Sequence, residues 1–312
     1  MKRFFTALAI TSTFVVTQAC TSQVKSGETP DSNATTVSNA NPHAGHNIGN
    51  SQTPKAEKNP HSSHNIENSR NEHSGYSKLE SANATAKLTV ASKITPNTPV
   101  PIIIEVQDNN GKAISSFDQF QEKLMHLIVV SDDFQSFNHI HPIYKGNGRF
   151  EVKANFPHPG RYSLFSDYKV AGKAEQVSVL KAEVPGNSPT APKIDLATTK
   201  TFGNTKANLK LSQPTIKTGQ EVHLIFNLQD AASNQPLKDL KPYLGERGHL
   251  VILKQSSPLT QADYIHAHAM KNTPAAEVHF ITSFPKPGKY KMWGQFNRNG
   301  KIVTTDFWVD VQ

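Results

Sequence analysis

The sequence predicts an all-β protein: two tandem β-sandwiches behind an export signal and a disordered tether. Two repeated features carry that prediction. The segment "VPIIIEVQD" at 100–108 is matched by "VHLIFNLQD" at 222–230. Val100, Ile102, Ile104 and Val106 alternate with their neighbours, as do Val222, Leu224, Phe226 and Leu228, which is the period of a half-buried strand. Further on, "RFEVKANFPHPGRY" at 149–162 is matched by "AEVHFITSFPKPGKY" at 276–290, and Phe-Pro-x-Pro-Gly-basic-Tyr closes both. An alternating strand, "SLFSDY" or "KMWGQF", follows each. With six or seven short strands expected in roughly a hundred residues, each unit reads as a sandwich. The tyrosine after each Pro-Gly fits a corner into the penultimate strand.

Taken in chain order, residues 1–19 are expected to be a signal peptide. Lys2 and Arg3 form a basic start, and the apolar run Phe4 to Val16 is too short to span a bilayer. Cys20, the only cysteine, directly follows a small-residue stretch and is the candidate lipidated first residue of a mature bacterial lipoprotein. Thr17 and Gln18 depart from the usual lipobox, and ordinary cleavage beside an incidental cysteine is the alternative. Residues 20–78 hold one aromatic residue, Tyr76, and balanced charges amid Ser, Asn, Thr and Pro. Such a composition cannot bury enough apolar surface to offset its ordering entropy, so a disordered tether is expected. The sandwiches are then 79–183 and 195–312, joined by a Pro/Gly-rich linker at 184–194. Two apolar-periodic stretches, one with Ile114, Phe117 and Phe120 and one with Leu237, Leu240, Tyr243 and Leu244, suggest a helical turn in one crossover. Of the formal charge of +8, about +6 falls on residues 79–312. In an exported chain this points to anionic envelope surfaces, and no arginine-rich tract points to nucleic acid.

The histidines carry the chemistry. Fourteen are present. "NPHAGHNIGNS" at 41–51 recurs as "NPHSSHNIENS" at 59–69, which places His43, His46, His61 and His64 in the tether, with His73 after them. His-x-x-His in a flexible segment is a weak chelating pair, and its duplication raises the local imidazole concentration. Replication slippage explains the same repeat without a function. In the first sandwich His126 begins an apolar strand, and His139-x-His141 follows. In the second, His249 begins the matching strand and His266-x-His268 follows. Residues i and i+2 of a strand share a face, and a hairpin would return them beside the first histidine. Three converging imidazoles are a ligand set for copper or zinc. A solvated His-x-His pair is the bland alternative. Asp167 and Gln295 occupy matching positions and are candidate fourth ligands, although Asp167 reads first as an ordinary strand-end carboxylate. Met125 and Met270 flank the sets and add a weak copper(I) signal.

The segments "HLIVVSDDFQSFNHIHP", "FPHPGRYSLFSDY" and "YKMWGQFNRNGKIVTTDFWV" resemble bacterial exported proteins with tandem YtkA-like or copper-resistance-type immunoglobulin-like (cupredoxin-like) β-sandwich domains. The resemblance covers both sandwiches and implies a lipid-anchored, non-enzymatic envelope protein on the periplasmic or outer side of the membrane. It further implies buffering or delivery of copper, alternatively zinc, with an envelope metal transporter or efflux component as partner. The competing class is an interaction or structural module whose histidines are incidental. No paired acid and base, nucleophile motif or cofactor loop supports an enzyme.

Overall fold

The computed structural model describes residues 80–312. Among them are sixteen β-strands and one 3-10 turn, Gln261–Asp263. The first sandwich comprises β1 (Ala84–Val90), β2 (Val100–Asp108), β3 (Met125–Ser131), β4 (Phe137–Ile140), β5 (Ile143–Gly146), β6 (Arg149–Ala154), β7 (Gly160–Lys169) and β8 (Glu175–Val184). The second comprises β9 (Thr199–Phe202), β10 (Thr205–Leu211), β11 (Glu221–Asp230), β12 (His249–Lys254), β13 (Tyr264–His268), β14 (Glu277–Ser283), β15 (Gly288–Arg298) and β16 (Lys301–Val311). The tandem sandwiches are thus present, with eight strands each where six or seven were expected.

Each sandwich packs two four-stranded sheets, ordered β1-β2-β6-β5 with β4-β3-β7-β8, and β14-β11-β10-β9 with β13-β12-β15-β16. The added strands are edge strands, β5 beside β6 in the first copy and β9 beside β10 in the second. Short edge strands carry little periodic signal, which is why the pattern undercounts them. Ile102, Ile104 and Val106 enter the first core with Leu127, Val129 and Leu164. Leu224, Phe226 and Leu228 enter the second with Leu250, Ile252 and Met292. Among the described residues, no helix is long and apolar enough to cross a membrane.

Both Pro-Gly-x-Tyr segments form tyrosine corners, as immunoglobulin-like domains do. Tyr162 Oη donates to the His158 carbonyl and Tyr290 Oη to the Lys286 carbonyl, each at 2.8 Å. Both rings are fully buried. Tyr290→Phe is expected to cost about 1 kcal/mol of stability, because a carbonyl loses its donor while the packing is kept. Urea denaturation measures it, and an unchanged midpoint would contradict a structural role for this corner.

The expected helical turns are not formed. Phe117 and Phe120 are held instead by isolated bridges, Phe117 to Val170 and Phe120 to Lys123, and Tyr243 bridges to Glu246. Phe117 packs edge-on against Tyr144, Phe150 and Tyr168. Pro242 removes a helical donor in the second stretch. Gln121, Glu122, Leu244 and Gly245 all take positive φ, which no right-handed helix allows.

The strands β3 and β12 are buried on both faces. Met125, Leu127 and Val129 point into the first core, whereas Ile128 and Val130 point out of it. The outward residues meet Val251 and Leu253 of β12, together with Phe134, Phe165, Leu259 and Trp293, in a third apolar cluster between the sandwiches. Phe137 stacks on Trp293 with centroids 4.7 Å apart. Lys291 crosses the same seam. Its Nζ reaches Asp306 at 2.7 Å and the Phe134 carbonyl at 2.9 Å, and lies over the Trp293 and Trp308 rings. Continuous apolar runs, Leu127–Val130 and Leu250–Leu253, were the sequence signal of this doubly covered layer.

Candidate metal centre

Strand alternation decides where the histidines go. His126 precedes Leu127 and shares the outward face of Ile128 and Val130, and His249 shares that of Val251 and Leu253. In both hairpins the pairing is the same: Ile128 lies opposite His139 and Val251 opposite His266. His249 lies opposite His268. Across the other edge, His126 faces Asp167 and His249 faces Gln295. All six imidazoles and both candidate fourth ligands therefore stand on the outward faces of two sheets that pack against each other. What the sequence divides into two sites is one patch between the sandwiches. The His126 and His249 ring centroids are 5.7 Å apart and those of His139 and His249 4.5 Å.

Asp167 stands near the C-terminal end of β7, but it is no ordinary surface carboxylate: it is 1% exposed and serves the other sandwich, its Oδ2 accepting from Tyr264 Oη at 3.0 Å and from His266 Nδ1 at 3.1 Å. Gln295 does the reciprocal, its Oε1 accepting from His139 Nδ1 at 2.7 Å. Met125 points into the core, away from the patch.

In the first set, the partners dictate the protons. Phe120 O is a carbonyl and can only accept, so His126 gives it the Nε2–H at 3.2 Å and keeps a bare lone pair on Nδ1. Gln295 Oε1 likewise takes the Nδ1–H of His139 and leaves Nε2 bare. The two bare nitrogens face each other 3.0 Å apart. No proton is left to join them in the neutral rings, and the rings are held neutral. Burial first, then the neighbouring His266, pushes His126 down to about 3. Burial and the adjacent His141 hold His139 well below the ordinary histidine range. His141 falls to about 4 through burial and Lys123. Its Nε2 is buried with no hydrogen-bond partner. One ligand atom from each of His126, His139 and His141 lies within 4.8 Å of the others. Two lone pairs on rings braced from behind, with an unpartnered third nitrogen beside them, are what a nitrogen-loving cation needs.

The second set is wired differently. Gln121, on its left-handed loop, reaches over from the first sandwich. Its Oε1 accepts from His249 Nε2 at 2.8 Å, and its Nε2 donates to His268 Nδ1 at 2.6 Å. His266, having given Nδ1–H to Asp167, presents Nε2 to His249 Nε2 at 2.6 Å. The single Nε2–H of His249 is thus shared between Gln121 Oε1 and His266 Nε2, and His249 Nδ1 is buried without a partner, so Gln121 bridges this set without satisfying every nitrogen in it. Burial, then His266, holds His249 well below the usual range, and burial takes His268 to about 4. His266 and His268 share a possible ligand geometry with Glu175 of β8, not with His249. Gln121 and Glu175 were invisible to sequence reasoning because they act only across the seam. The matching position of Gln121 in the second copy is Leu244, which has no amide to offer, so the first set stays open.

His223 and His279 lie on β11 and β14 of the sheet that carries no site residue, with Glu221 at 3.5 Å and Glu277 at 2.6 Å as partners. His158 turns its Nδ1 to the Pro159 carbonyl. Cys20, His43, His46, His61, His64 and His73 lie outside the described residues.

A family model described as a domain of unknown function (DUF8832) matches residues 80–184 and again residues 200–312. No curated protein matches the sequence. Solved structures that match include a titin A168–A169 fragment, 9% identical with a TM-score of 0.19, covering 73% of this chain and 98% of that one. Native alpha-2-macroglobulin of E. coli is 12% identical with a TM-score of 0.25, covering 75% of this chain and 14% of its own. Invasin, a bacterial integrin-binding protein, is 11% identical with a TM-score of 0.21, covering 72% and 39%. The chain thus spans well under half the length of the last two.

Proposed function

The chain belongs to the DUF8832 family and carries its domain twice, and from that premise we propose that it is a metal-binding envelope protein whose folded ion site is His126, His139 and His141. One observation carries the reading: His126 Nδ1 and His139 Nε2 face each other at 3.0 Å, beside the unpartnered Nε2 of His141, and the acceptors Phe120 O and Gln295 Oε1 behind the two rings assign both facing nitrogens as lone pairs. That arrangement is repulsive without a cation, and the buried neutral rings keep it so at neutral pH. Three neutral imidazoles suit copper or zinc, with copper first in view of the resemblance to copper-resistance-type domains. The role assigned is binding, buffering or delivery rather than catalysis. Export, a lipid anchor on Cys20 and a transporter or efflux partner complete the reading, with the tether histidines as a weak capture arm.

The test is isothermal titration of copper(II), and separately zinc(II), into the full chain with His43, His46, His61, His64 and His73 replaced by serine. At least one tight ion is expected per chain, and His141→Asn is expected to weaken it more than about 100-fold while the fold, read by circular dichroism, is kept. Binding that His141→Asn leaves unchanged would sink the assignment and favour the interaction module.

A further inference from the structure

We propose a second, chemically distinct cation site at Glu175, His266 and His268, built by both sandwiches together. One ligand atom from each of the three lies within 4.8 Å of the others. Glu175 opens β8 of the first sandwich, whereas His266 and His268 stand on β13 of the second. Behind them is an anionic group in want of a positive neighbour. Asp167 is buried, and its Oδ1 has no hydrogen-bond donor, while Oδ2 braces His266 and Tyr264. A buried carboxylate oxygen without a donor is costly, and a nearby cation offsets it.

The ligand class follows from the donors. Two imidazoles and a carboxylate favour a divalent ion such as zinc, cobalt(II) or copper(II) over copper(I), which prefers softer or neutral donors. Glu175 and His268 are exposed while the His266 side chain is buried, so the site opens to solvent on one side, unlike the more deeply buried first set. An ion here competes with hydrogen bonds already made, Gln121 to His268 and His249 to His266, and so binds more weakly than at the first set. Because its ligands come from both sandwiches, occupancy ties the two together. The unfolding midpoint then rises with ion concentration, as for any ligand of the folded state alone. The site uses none of the three histidines assigned above, so either can fail without the other.

The experiment is cobalt(II) titration of the full chain bearing the five tether serine substitutions, followed by visible absorption, with thermal unfolding at each concentration. Two ions are expected in the parent. Glu175→Gln, a near-isosteric change of an exposed side chain, is expected to weaken the looser ion by about tenfold or more and to remove its increment in midpoint. His141→Asn is expected to remove the tighter ion only. If Glu175→Gln binds and melts as the parent does, the second site is overturned, whatever His141→Asn does. If Glu175→Gln loses an ion and His141→Asn loses none, the second site stands and the first reading falls.

Discussion

Lowering the pH of the metal-free protein from 7 to 5 is expected to remove about 6 kcal/mol of stability or more, a large part of what a typical domain has. His126 titrates in the fold near 3, and burial holds His139 and His249 well below the ordinary range. In the unfolded chain all three take up protons near 6.5. The unfolded state therefore binds more protons throughout the window, so stability is complete above about 6.5 and falls as the pH drops from there towards the folded values. Each ring that stays neutral in the fold contributes about 2 kcal/mol between pH 7 and 5. The more exposed His141 and His268 add less. Urea denaturation at the two pH values, read by tryptophan fluorescence, measures the loss. Asparagine at 126, 139 and 249 is expected to flatten the dependence. Equal stability at both pH values would show that these imidazoles are not neutral and buried together.

Trp293→Ala is expected to cost about 3–5 kcal/mol, the usual range for a large aromatic lost from a packed core. Trp293 is 3% exposed although its strand neighbours Met292 and Gly294 belong to the other face. Its ring stacks on Phe137 and lies under the Lys291 ammonium, so the substitution opens a cavity between sandwiches and not within one. It also loosens the seam that brings Gln295 to His139 and Asp167 to His266, so ion affinity is expected to fall with stability. Phe134 makes the seam stricter, since it holds a left-handed backbone with φ of 60°, strained for a bulky residue and sustained by its contacts with Trp293 and Trp308. A loss below about 1 kcal/mol, with ion binding intact, would mean that the sandwiches are held together elsewhere.

Sandwich identity was legible because half-buried strands write a period of two, and "VPIIIEVQD" and "VHLIFNLQD" do so twice. The tyrosine corners were legible for a similar local reason: Pro-Gly-x-Tyr sets its own turn. The helical turns at 114–124 and 237–244 were misread because Phe117, Phe120, Leu237 and Leu240 mimic a helical stripe. In the fold Phe117 bridges Val170, Phe120 closes a local turn with Lys123, and Leu237 and Leu240 pack against the second core.

His-x-His on a strand, with a third histidine at the head of its hairpin partner, follows from alternation alone, so the sequence by itself determined that three imidazoles share a face in each copy. It could not determine what that face meets. Leu127–Val130 and Leu250–Leu253 announce a covered strand but not the cover. Packing of the second sandwich on the first merges two expected sites into one patch, puts Gln295 behind His139 and Asp167 behind His266, and lets Gln121 close only one histidine set. These are contacts between residues about a hundred or more positions apart. Local periodicity encodes which way a side chain points, whereas the partner it finds depends on how whole sheets dock, and that is settled by burying apolar surface between them.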